Sequence, residues 1–155
     1  MKTTTGFALT VTLVAALAGC TPTVVLDPAV DAINARCASV IVNLPESVAD
    51  LSIRETNAQA TGAWGNPAAV LLRCGVPVPD PTSTLQCVTV DGIDWLRDPS
   101  GDPSFVFTTY GRDPATEVIV DSNQTSGLAV LTDLSNAIAA VPATGECLDP
   151  LDTTE

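Results

Sequence analysis

The 155-residue chain sets 18 acidic residues against six basic ones, has no histidine, and carries a formal net charge of −12. Lys2 is its one lysine, and Arg36, Arg54, Arg73, Arg97 and Arg112 are scattered, so no basic patch exists to neutralise phosphates. That argues against nucleic acid as a partner and against electrostatic attachment to anionic lipid.

Residues 1–19 read as a secretory signal. Lys2 supplies the positive charge, and the apolar run from Phe7 to Ala18 falls short of the ~20 residues a bilayer span needs. The run ends in Leu17-Ala18-Gly19-Cys20, which resembles the lipobox of bacterial lipoproteins, where the chain is cut before an acylated cysteine. Two or more acyl chains on Cys20, palmitate among them, would anchor the protein at the outer face of the cell membrane. Residues 20–35, proline-containing and without clear periodicity, read as a tether that reaches up to roughly 50 Å from the lipid. Residues 36–148 are then long enough for one domain, and 149–155 form an acidic tail.

Within the domain, short apolar runs alternate with Pro, Gly and Asp clusters, the pattern of strands. The sequence predicts a strand over 37–44, stopped by Pro45, and a short helical turn between Pro45 and Leu51. A nearly continuous apolar strand follows over 67–74, and a further one over 85–90 is expected to pair with it. Residues 104–110 alternate so as to place Phe105 and Phe107 on one face. They form a hairpin with 117–121 through the turn Gly111-Arg112-Asp113-Pro114. Leu131, Leu134, Ile138 and Val141 then fall on one helical stripe, with Ser126 or Thr132 as start and Pro142 with Gly145 as stop. The expected fold is α+β: a small antiparallel-rich sheet of about five strands, a C-terminal helix on one face, and two disulfides.

With Cys20 set aside, Cys37, Cys74, Cys87 and Cys147 remain, an even number in an exported chain. Three connectivities are open. The preferred one joins Cys74 to Cys87 across Pro77, Pro79 and Pro81, and Cys37 to Cys147 across the domain. A thiolate metal site is disfavoured, because no Cys-x-x-Cys pair exists.

Four strings carry a resemblance: NLPESVADL, RETNAQATGAWGNPAAVLLRCGVPVP, CVTVDGIDWL and VFTTYGRDPATEVIVD. Together they are similar to an actinobacterial family of small exported proteins known as domain of unknown function 3515, over roughly residues 35–150. The resemblance implies an envelope location in a high-GC Gram-positive bacterium. It brings no activity, ligand or catalytic residue with it.

The absent imidazole removes Ser-His-Asp and Cys-His nucleophiles and histidine-bound zinc. Only carboxylates, hydroxyls and Tyr110 remain to move protons. Asp91, Asp94, Asp98 and Asp102 lie close together in sequence with two glycines, enough oxygens to suggest calcium. Their spacing is not that of an EF-hand, and turn-forming Asp and Gly explain the same residues. Trp64 and Trp95 are weighed as partner contacts and as core, with core preferred, more firmly for Trp64. Arg73, Arg97 and Arg112 are candidates to grip a ligand carboxylate, pairing with nearby Asp being the plainer role. Asn123-Gln124-Thr125 reads as an exposed loop. The binding candidates are therefore Trp95, Arg97, Arg112, Asp91 and Asp94, with no catalytic residue, metal or cofactor expected. The functional expectation is a non-catalytic binding or accessory module of the envelope, meeting a protein or wall component. A small-ligand or calcium receptor is the alternative, and a carboxylate-dependent glycan hydrolase comes third.

Overall fold

The computed structural model describes residues 21–81 and 84–147, so the predicted signal, Cys20 and the acidic tail lie outside the described residues. Two helices, α1 (Ala35–Val42) and α2 (Gly127–Ile138), pack on an antiparallel sheet. Its strands are β1 (Ser47–Val48), β2 (Leu51–Arg54), β3 (Thr61–Trp64), β4 (Val70–Val76), β5 (Gln86–Val90), β6 (Ile93–Asp98), β7 (Ser104–Thr109) and β8 (Ala115–Asp121). The class is α+β as expected, with the C-terminal helix in place. The sheet has eight strands, however, in the order β1-β2-β3-β4-β8-β7-β6-β5, where the sequence suggested about five. Among the described residues no helix is long and apolar enough to cross a membrane.

The order describes two four-stranded meanders joined where β8 returns beside β4. Laid flat, eight strands spaced about 4.8 Å apart would span about 34 Å. The 12 residues of α2 are only about 18 Å long. Yet α2 packs against both β1 and β5, the two outermost strands, as well as β8. The sheet therefore curls around the helix. The concave face buries Val70, Leu72 and Cys74 of β4 and Val118 and Val120 of β8, alternate residues as a one-sided core requires. Phe105 and Phe107 share that face, and Leu131, Leu134 and Ile138 of α2 fill the trough, as their spacing predicts. Ser126 is the N-cap residue of α2, although its side chain makes no capping bond.

Residues 37–44 do not form the predicted strand: they belong to α1 and its C-terminal end. A β-branched run suits a strand as well as a buried helix stripe, and here it is a helix that the Asn34 side chain starts. Its oxygen accepts from the Arg36 amide at 3.0 Å, capping the helix start. Cys37 and Val40 are then buried one turn apart, with Ile41 and Leu44 packed beside them. The expected helical turn after Pro45 is instead the β1–β2 hairpin. Val48 opposes Leu51 across Ala49 and Asp50, both with positive φ (48° and 64°), which is the geometry of a type I′ turn.

The β5 strand does not pair with β4, as expected from the sequence, but with β6. This corrects the disulfides. Cys74 faces the helices and joins Cys37 of α1, while Cys87 joins Cys147 after α2. The preferred Cys74–Cys87 pair, which left Cys37 for Cys147, went with β4 and β5 as neighbours. Replacing both Cys37 and Cys74 by serine opens a link across 37 residues and is expected to cost about 4 kcal/mol on the chain-entropy account. Denaturant unfolding of the double variant measures it.

The presumed tether is largely bound to the domain. Val24 pairs with Thr56 in a parallel bridge, Arg54 donates to the Pro22 carbonyl at 2.6 Å, and the Asp31 amide donates to the Gly75 carbonyl at 3.0 Å. These backbone groups find partners beyond β2 and at the end of β4, which the weak periodicity of 21–35 did not reveal.

Candidate functional site

After α2 the chain turns past the sheet and runs along the loop ends of β5–β8 as a strap of residues 143–147. Its attachment is built from backbone. Ala143 forms a bridge with Arg112, and the Thr144 amide donates to the Gly111 carbonyl at 2.6 Å. The Cys147 amide donates to Asp94 Oδ2 at 2.7 Å, and its sulfur closes the bond to Cys87. Between the strap, the β5–β6 hairpin and the β7–β8 turn lies an open cleft of about 590 Å³, with Thr89, Asp94, Tyr110, Arg112 and Glu146 in its walls.

Arg112 is the unusual element. Only 6% of it is exposed, and its Nη1 donates to the Val141 carbonyl. Its Nε is buried without any hydrogen-bond partner. A buried donor left unpaired forfeits about 1–3 kcal/mol, so such groups are rare and call for an acceptor. Burial pushes the guanidinium below its ordinary pKa, and the charge of Asp94 pushes it back up. Asp94 is held from two sides, by the Thr89 hydroxyl at 2.6 Å on Oδ1 and by the strap amide on Oδ2.

The other sequence candidates disperse. Trp95 is fully buried on β6 and falls on the core side of the two readings weighed for it, its Nε1 without a partner. Arg97 lies on the concave face with its guanidinium 4.4 Å from the Phe105 ring centre, a cation–π contact. Arg73 pairs with Glu117 at 2.6 Å, not with an aspartate. Among the described residues, that is the one arginine–carboxylate ion pair.

The four aspartates considered for calcium do not converge. Asp91 and Gly92, with φ of 48° and 74°, are the central pair of the β5–β6 hairpin turn. Asp94 points to the strap from β6. Asp98 accepts from the Ser100 amide at 2.8 Å, which with the Ser100 hydroxyl holds its carboxyl below the usual range. Asp102 follows in the next turn. No group of three or more metal-ligating side chains occurs among the described residues. Asn123 is exposed in the turn before α2, as its sequence suggested.

Arg112 and Asp94 are thus brought together from the candidate set, while the sequence marks Tyr110 only as the one phenol and Thr89 and Glu146 not at all. Tyr110 and Thr89 carry no local signal of the cleft. Glu146 could have been found only from the Cys87–Cys147 link, which places its neighbour on β5.

The family described as "Protein of unknown function (DUF3515)" matches the chain over residues 3–146. No curated protein and no solved structure matches it.

Proposed function

The chain belongs to the DUF3515 family, and we propose that it is a lipid-anchored, extracytoplasmic binding module of an actinobacterial envelope that performs no catalysis. The strap cleft is its binding site. The observation that carries this reading is Arg112: a buried guanidinium with an unpaired Nε at the wall of an open cleft. A charge so placed forfeits free energy in the unliganded protein, and a ligand acceptor would recover it. Asp94 holds two donors already, which suits a positioning role better than proton transfer.

In-cell photo-crosslinking from probes at Ala143 and Glu146, with Ser39 on α1 as the control position, tests the site. A recurrent neighbour captured from the strap and not from Ser39 supports it. Crosslinks as diffuse from the strap as from Ser39 would sink it. The anchor has its own test. Metabolic labelling with an alkynyl palmitate is expected to tag the protein and to fail on Cys20→Ser, and equal labelling of the variant would refute acylation at this position.

A further inference from the structure

The charges of the cleft are mixed, and this narrows what it accepts. We infer that it takes a zwitterion, a free amino acid or short free peptide, with the ligand carboxylate on Arg112 and the ligand ammonium toward Glu146 and Asp94. The inference rests on the cleft being the binding site.

The arginine fork offers two parallel N–H bonds along each edge. Nη1 is already spent on the Val141 carbonyl, and the unpaired Nε belongs to the other edge, the one it shares with Nη2. A carboxylate supplies two oxygens at the matching separation, so one ligand group satisfies the orphan donor bidentately once the buried Nε–Nη2 edge turns to the cleft. A simple anion would do the same, but it would meet the like charges of Asp94 and Glu146 in the same walls. A simple cation would suit those acids and leave the Nε unpaired. A ligand with both charges a few bonds apart satisfies both sides. Asp94 keeps acceptor capacity, since each carboxylate oxygen accepts more than one hydrogen bond and each is engaged once. Glu146 is exposed on the strap, free to swing toward a bound ammonium.

A free dipeptide carries both charges, whereas the C-terminus of a protein or of a wall stem peptide carries the carboxylate alone, its nearest amine being acylated as in N-acetyl-alanyl-alanine. The experiment is calorimetric titration of the full chain in detergent with L,L- and D,D-alanyl-alanine, N-acetyl-alanyl-alanine and alanyl-alanine amide. The free dipeptide is expected to bind, with acetylation and amidation each weakening it about tenfold or more. A preference for D,D or for L,L gives the configuration of the free dipeptide that the cleft takes. Glu146→Gln is expected to weaken the free dipeptide about tenfold while leaving the N-acetyl form unchanged, without shifting the melting temperature. If the blocked dipeptides bind as tightly as the free one, the zwitterion assignment falls and the cleft as binding site stands. If no dipeptide binds, the assignment also falls, and the crosslinks from Ala143 and Glu146 decide the cleft separately.

Discussion

Trp64→Ala is expected to lower the stability of the fold by about 3–5 kcal/mol. Trp64 ends β3 with no exposed surface. Its ring lies so close over Gly62 that a Cβ there would approach ring carbon Cη2 to 2.8 Å, with Leu44 on the other side at 2.9 Å. Its Nε1 donates to the Pro45 carbonyl at 3.1 Å, so the indole also seats the link between α1 and β1. Alanine would leave a cavity the width of the ring and an unpaired carbonyl. Domains of this size have about 5–15 kcal/mol to lose, so a large share of the protein should be unfolded on mild heating. Urea unfolding followed by the fluorescence of Trp95, which remains, gives the value. A loss under about 1 kcal/mol would mean that α1 and its connection do not rest on this ring.

Gly111→Ala is expected to cost about 3 kcal/mol and to lift the strap from the cleft. Gly111 has φ of +64°, and a Cβ on it would stand 2.0 Å from the Gly145 carbonyl oxygen and 2.8 Å from its Cα. Both obstacles are backbone, so no side-chain rotation relieves them. The hydrogen bond from the Thr144 amide to Gly111 and the bridge from Arg112 to Ala143 would have to open. Cys147 would still hold the far end through its disulfide. The effect should therefore appear as fast hydrogen exchange at Thr144 and lost dipeptide binding, within a domain that stays folded. Gly92→Ala is the matched control: φ is +74° there and nothing lies within 4 Å of the added carbon, so only the backbone cost of about 1–2 kcal/mol remains. Equal effects at the two glycines would show that the collision with Gly145 is not what seats the strap.

The ion pair of Arg73 with Glu117 merits less weight than its 2.6 Å length suggests. The side chains are 33% and 18% exposed, and pairs open to water at that level contribute at most about 1 kcal/mol. Arg112 differs: its Nη1 is bonded to the Val141 carbonyl, and its Nε is buried with no partner.

By itself the sequence determined the class of the fold, the helix α2 and the pairing of β7 with β8. Those features are local: the stripe Leu131-Leu134-Ile138 and the alternation around Phe105 and Phe107 state their own periods, and the turn between β7 and β8 is short. It also carried the Asp91-Gly92 turn, since Asp-Gly between apolar runs favours a type I′ hairpin and accounts for these residues without a metal. Tertiary structure alone decided that 35–42 is a helix, because β-branched residues fit either element until Cys37 and Val40 find a surface to bury against. It alone decided the disulfides and the cleft. Any strand edge offers the same N–H and C=O groups, so the sequence does not state that β4 takes β8 and not β5 as its neighbour. That choice turns Cys74 toward α1 and leaves Cys87 for the strap. With it, Arg112, Asp94 and Glu146, from three separate segments, come to line a single cleft.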